Sequence, residues 1–354
     1  MSARIESLDW LRGLMAISIM VYHLTGLLFT STDSSSLLGR LGIYAVSIFF
    51  IISGLSMALV YSRFISNSAT SFSFYIRRIF RIWPLLWVCI FLITLPNVVS
   101  NKPIDVLQII LNMTTLFGFT KPEYYMNAGA WSIGNEMVYY ALTPMILMIY
   151  NPKKILGDAI TILCLLLTCY FAFFLLDGAD SLSNQWKTYI HPFNNLFLYL
   201  AGISIYYNLK DVNFKVWISP ILFLSCLFFF LFYPVAGDQI RIVTGVNRLS
   251  FLFFSVLIVV AFYKFTAYQN IHKLISYPLE QFGIATYGVY LYHPIVAKYL
   301  IGFMDRLGFH HSIILFLAAF ILTICLALLS FNFFENKMIA LGKKISKTVL
   351  RSEG

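Results

Sequence analysis

The sequence predicts an all-α, polytopic membrane protein of about ten spans with both termini cytoplasmic, and three observations predict it. Of its 354 residues, 60% are hydrophobic and 11% charged, more apolar surface than a soluble chain of this length can bury. The apolar residues gather in runs of about 20, the length a helix needs to cross the hydrocarbon core. The basic residues fall between those runs, biased to alternate gaps.

Ten runs follow one another at roughly 10–29, 40–61, 82–100, 131–149, 155–176, 192–207, 216–234, 249–265, 280–302 and 312–334. The first is followed by T-S-T-D-S-S-S with no small-residue cleavage site, so it is expected to stay as a membrane helix. Between the third and fourth, residues 101–130 have room for more; I-D-V-L-Q-I-I-L-N-M-T-T-L-F reads as a helix lying at the interface. No internal repeat, low-complexity tract or appended soluble domain is visible, and 1–354 reads as one transmembrane domain.

With the N-terminus inside, 17 basic residues fall on inner segments and 8 on outer ones. The inner set includes Arg4, Arg12, Arg77, Arg78 and Arg81, and the outer set Arg40 and Arg248. The bias accounts for the net charge of +10 as topology, and nucleic acid is not an expected partner. Cys89, Cys164, Cys169, Cys226 and Cys325 all lie in apolar runs with no C-x-x-C pair, which predicts buried, reduced thiols and no metal site.

Ionisable residues at membrane depth are costly unless they face protein or water, and they mark candidate sites. His23 follows Arg12 by eleven residues in the first span, whose opening also carries Asp9. Counted from the outer end, His23 and Glu136 both fall roughly 8–9 Å deep at 1.5 Å per residue. His293, in Y-L-Y-H-P, falls nearer the midplane, and Pro294 offers it a freed carbonyl to satisfy. A carboxylate beside an imidazole sets its tautomer and raises its basicity, the arrangement of a general base. Ser132, Glu136 and Tyr140 repeat every four residues on one helix face, which suits a site or simple helix packing. Ahead of the third span, F-Y-I-R-R-I-F-R-I-W-P sets Arg78 and Arg81 at i, i+3. Charge alone favours plain anchoring there; the functional reading is a fork for phosphates.

Five of these segments, in order, resemble the motifs of acyltransferase family 3, integral membrane acyltransferases that modify surface polysaccharides, lipids and small molecules. L-D-W-L-R-G with His23 resembles its Arg-x10-His motif, F-F-I-I-S-G-L with Ser53 its F-F-x-x-S-G-F segment, and R-R-I-F-R-I-W-P its Arg-x-x-Arg motif. W-S-I-G-N-E-M-V-Y-Y resembles W-S-L-x-x-E-x-x-F-Y, and Y-L-Y-H-P the late Tyr-x-x-His pattern. The family's closing Glu-x-Pro is replaced by Glu335-Asn336-Lys337, which puts the geometry of the terminal helix in doubt.

The resemblance implies His23 as catalytic base and Glu136 on the acceptor side of the cavity, where the shared depth makes Glu136 its expected catalytic partner. It implies Arg78 and Arg81, with Arg77, as holders of the phosphates of an acyl-coenzyme A donor, expected to be acetyl-CoA. Arg12, Asp9, Ser53, Trp131, Ser132, Tyr140 and His293 are expected around the substrate cavity. The expected acceptor is a sugar hydroxyl of a bacterial surface polysaccharide (O-antigen, capsule or exopolysaccharide) or of its lipid-linked precursor, reached at the inner membrane. Direct transfer and an acyl-enzyme intermediate both remain open. The rival reading is a proton-coupled transporter with His and Glu as a relay, which would predict repeated halves or paired broken helices.

Overall fold

A computed structural model describes residues 5–266 and 271–352; Arg4, counted above among the inner charges, lies outside them. Among the described residues the fold is all helical, with no strand. Helix α1 (Glu6–Leu28) leads through the Ser-rich turn to α2 (Leu37–Tyr61), which Ser36 caps by accepting from Gly39 N at 3.0 Å. Helix α3 (Ser68–Val99) is followed by α4 (Val106–Met113), which is capped by Asp105 and lies within the segment read from sequence as helical, then by α5 (Phe117–Thr120) and α6 (Trp131–Tyr150). Next come α7 (Lys154–Tyr170), prolonged by a π-turn over Phe171–Leu175, then α8 (Trp186–Tyr189) and α9 (Pro192–Leu209). Helices α10 (Ile218–Phe232), α11 (Ile240–Val243), α12 (Gly245–Tyr263) and α13 (Lys273–Arg306) lead to α14 (Ser312–Ser330). A second π-turn over Phe331–Glu335 joins α14 to α15 (Asn336–Ser352).

Among the described residues, six helical stretches are long and apolar enough to cross a membrane: α1, α2, α3, α7 with its π-turn, α12, and Ser312–Arg351. The other four predicted spans fall on α6, α9, α10 and α13. Of these, α10 is apolar but has only 15 residues, while the other three carry buried polar groups such as Asn135, Asn194, Asn195 and His293.

Two expectations are corrected. Helix α3 begins at Ser68 rather than near 82, because Asn67 and Thr70 close a reciprocal capping box over its first turn. Arg77, Arg78 and Arg81 therefore ride within this helix instead of preceding it. Cys325 is exposed rather than buried: it stands on α14, where the exposed Ile321, Leu322 and Leu326 suit lipid better than protein.

The chain packs as two compact units, one formed by residues 1–62 and 149–286, the other by 63–148 and 287–354. In the first, α2 and α9 cross at glycines: a Cβ on Gly54 would overlap the carbonyl of Tyr199, and one on Gly202 the carbonyl of Ile51. Two arginines read from sequence as outer-loop charges are buried here. Arg40 donates to the carbonyls of Phe230 (2.8 Å) and Tyr233 (2.6 Å), the unsatisfied end of α10, and to Ser34 (2.7 Å). Arg248 donates to Asn195 Oδ1 at 3.0 Å and lies 5.6 and 5.7 Å from the ring centroids of Tyr44 and Tyr189. These guanidiniums fasten loops and helix ends from inside.

Candidate active site

In the first unit, Arg12 pairs with Asp9 one turn earlier and also donates to Ser56 on α2. Ser56 Oγ in turn donates to Ile52 O at 2.6 Å, and the buried Ser53 lies one turn before it. Asp9 and Arg12 thus join α1 to α2. Eleven residues on, His23 lies on nearly the same face of α1 as Arg12 but about 16 Å further along the axis. The Arg-x10-His spacing therefore gives two separate polar stations on one helix, not one contact. His23 is half-buried, its ring 5.4 Å from that of Tyr22.

The second unit gathers the remaining predicted residues. Arg77 is spoken for: its Nε donates to Ser346 Oγ at 2.8 Å, and its guanidinium lies 4.6 Å from the Phe64 ring centroid. Ser346 also accepts from Ser73 at 2.9 Å, so α15 is fastened along the start of α3. Asn336 and Lys337 put no proline after Glu335, and the helix runs on to Ser352 to make this contact. Arg78 lies 5.8 Å from the ring centroid of buried Tyr140. Arg81, one turn on, is exposed and acts electrostatically on Glu335, which is 5% exposed.

The i, i+4 stripe on α6 faces these groups. Tyr140 meets Arg78, and half-buried Glu136 acts on Tyr287 of α13, which Arg81 and Glu335 also reach. Tyr287 donates to Ile82 O at 2.8 Å, and its phenol lies within electrostatic reach of both carboxylates and of the Arg81 guanidinium. The π-turn inserts one extra residue in the helical ladder and re-aims Glu335, which accepts from Ser330 Oγ at 3.2 Å.

At the head of α6 the stripe ends in a second network. Ser132 Oγ and Tyr290 Oη lie 2.8 Å apart, and each also reaches Gly129 O, at 3.0 and 2.8 Å. Gly129 takes φ +90°, a conformation for which glycine is suited, and so delivers its carbonyl to both hydroxyls. Trp131 is buried beside them at the helix start. His293 is buried, with Nδ1 3.0 Å from Val289 O, which fixes its proton on Nδ1. That partner corrects the expectation from Pro294: the carbonyl the proline leaves without its i+4 donor is Tyr290's, not Val289's.

The profile of the acyltransferase domain family matches residues 5–331. The chain belongs to this family of acyltransferases. Over 319 residues it is 24% identical to the peptidoglycan O-acetyltransferase OatA of Listeria monocytogenes, a match covering 82% of this chain and 49% of that protein. The chain therefore spans about half the length of this curated relative, and no solved structure matches it. All five motif segments fall within the matched residues.

Sequence reasoning treated Glu335 only as a departure at the chain's end and passed over Tyr287 and Tyr290. Signals for all three were present. Glu335 is an isolated acid closing an apolar run, and Tyr287 and Tyr290 are spaced i, i+3 on the helix that carries His293.

Proposed function

We propose that the chain is a membrane O-acyltransferase of the bacterial inner membrane, with ten spans and both termini cytoplasmic. It moves an acetyl group from cytoplasmic acetyl-CoA to a sugar hydroxyl of a surface polysaccharide or its lipid-linked precursor. Family membership supports acyl transfer, and the relative's glycan O-acetylation supports the acceptor class.

The observation that carries the donor assignment is the division of labour on α3. Arg77 is fastened to Ser346, whereas Arg78 is held against an aromatic ring and Arg81 stays exposed one turn on. Two guanidiniums so presented suit the phosphates of coenzyme A. His23 takes the proton of the acceptor hydroxyl and the alkoxide attacks the thioester carbonyl. The oxyanion is met by donors such as Ser132 or Trp131, and the C–S bond breaks. The imidazolium then returns its proton to the departing thiolate. Ten spans fit the even number of helices that the basic-residue bias requires.

The test uses membranes containing the protein and acetyl-CoA labelled in the acetyl group. Label entering surface glycan with the wild type and lost with His23→Ala at matched expression is the expected result. Equal label from both would remove His23 from the chemistry, and no label from the wild type would turn the reading toward the transporter.

A further inference from the structure

At the far end of α3 from its arginines, the second unit carries an open cavity of about 500 Å³. Its walls come from the last turns of α3, residues 126–128 of the following loop, and α13 beyond Pro294. Pro96, Ile295 and Phe303 make most of it apolar, and Tyr299 closes a seam by donating to Leu92 O at 2.6 Å.

Two polar features interrupt that surface. The first is Asn127, 2% exposed, whose Nδ2 donates to Leu291 O at 2.8 Å. That bond fixes which end of the amide is oxygen, and Oδ1 is buried with no hydrogen-bond partner. A buried acceptor left without a donor keeps its desolvation cost uncompensated, and a ligand hydroxyl would satisfy it. The second is the pair Lys298 and Arg306, both lining the cavity, both exposed, and neither in an ion pair with a described residue. Asp305, the acid beside Arg306 in the chain, is turned to His310 at 3.1 Å.

We infer that this cavity binds the acceptor as an anionic carbohydrate, with a sugar hydroxyl donating to Asn127 Oδ1 and a phosphate or carboxylate held by Lys298 and Arg306. The inference rests on the acyl-transfer reading, which it deepens. Position supports it within the unit. Residues 127–132 form one continuous turn from the cavity wall to Trp131 and Ser132, with Ala130 N donating to Asn127 O at 2.8 Å. On α13, the cavity wall at Pro294 adjoins His293. The apolar walls suit the faces of sugar rings, and the cavity has room for one or two of them.

The full chain, purified in nanodiscs of neutral lipid, would be titrated with N-acetylglucosamine 1-phosphate, glucuronic acid, N-acetylglucosamine and inorganic phosphate, read by saturation-transfer NMR. A charged sugar is expected to bind about tenfold more tightly than the neutral sugar or inorganic phosphate alone, and the preferred one of the two identifies the anion. Asn127→Leu and the double variant Lys298→Ala/Arg306→Ala should each weaken that binding about tenfold, and Lys298→Arg/Arg306→Lys should restore it. Acetyl-CoA binding, unchanged in all variants, reports that they are folded. In the labelled-acetyl assay the double variant should raise KM for acceptor several-fold with kcat unchanged.

Inorganic phosphate binding as well as the charged sugars, or phosphatidylglycerol in the nanodisc displacing them, would overturn the carbohydrate assignment. So would wild-type affinity and acceptor KM in every folded variant. A wild type that transfers no acetyl group but binds charged sugars through these residues would sink the reaction and leave the site standing. Transfer that is indifferent to the variants would do the reverse.

Discussion

Ser132 Oγ and Tyr290 Oη lie 2.8 Å apart over a single carbonyl, that of Gly129, which both can reach. Two hydroxyls carry two protons, but the triangle offers three bonds, so at most two are made at once. If Tyr290 keeps Gly129, the proton of Ser132 is free to turn toward a substrate oxygen. In the proposed mechanism Tyr290 then holds the backbone carbonyl while Ser132 turns to the oxyanion.

The two single variants should therefore separate. Tyr290→Phe removes the bond to Gly129 O and forces Ser132 to replace it, so activity should fall with a stability loss of about 1 kcal/mol. Ser132→Ala should cost a similar or smaller amount of stability. Because the hydroxyls share one acceptor, the double variant should lose less than the sum of the singles. Thermal unfolding in nanodiscs, compared over the four proteins, measures the coupling; strict additivity would show that the hydroxyls act independently.

A second prediction follows from the arginines of α3. Arg77→Ala should lower thermal stability by loosening α15 while leaving KM for acetyl-CoA unchanged, since its Nε is occupied by Ser346. Arg81→Ala should raise donor KM at least several-fold. It also strips the buried Glu335 of its facing cation, so some stability is lost with it. Glu335→Gln, which keeps the side chain's shape, separates these effects: it should restore part of the stability of Arg81→Ala without restoring donor KM. Donor titrations and melting curves on the same preparations check all of these outcomes.

Much of this arrangement was legible in the chain. The apolar runs, the helix over the α4 segment and the α6 stripe of Ser132, Glu136 and Tyr140 all follow from local patterning. What was not legible depends on partners distant in sequence. Nothing near Arg77 announces Ser346, and counting Arg40 and Arg248 as topological charges missed that each is enclosed by the first unit. The start of α3 was misplaced because apolarity marks where a helix is lipid-like, whereas its beginning was set by a polar cap at Asn67. Glu335 escaped notice because a π-turn, which has no reliable sequence signature, decides its direction.

The crossing of α2 and α9 gives a third prediction. The resemblance sets Ser53 around the substrate cavity, yet the neighbouring Gly54 has a plain mechanical task, since α9 lies where its Cβ would be. Gly54→Ala should destabilise by about 1–3 kcal/mol as the helices separate to admit the methyl group. Gly54→Leu should leave little folded protein in the membrane. Gly202→Ala should behave like Gly54→Ala, because the crossing is reciprocal. Size-exclusion profiles after detergent extraction, with melting temperatures of whatever survives, decide the matter. Full activity in Gly54→Leu would mean that the helices do not pack this closely.

The pH dependence of stability turns on His191, just ahead of α9. Its ring packs between Phe171 and Phe193, with centroids 5.6 Å from each, and Nδ1 accepts from Phe193 N at 3.3 Å. Burial lowers its pKa below the ordinary histidine value, and the cap demands the neutral ring, because a protonated Nδ1 has no lone pair for the helix N–H. The unfolded chain titrates near pH 6.5, so below that value it takes up a proton that the folded chain resists. The unfolded state then binds more protons, and stability falls as pH falls. His191 therefore contributes its full stabilisation above about pH 6.5, and that contribution is lost as the pH drops toward the lower folded-state value. His191→Asn keeps a capping acceptor without titrating. Melting temperatures taken from pH 8 to pH 5 should decline more steeply below about 6.5 in the wild type than in His191→Asn. Parallel curves would show that the acid sensitivity originates elsewhere.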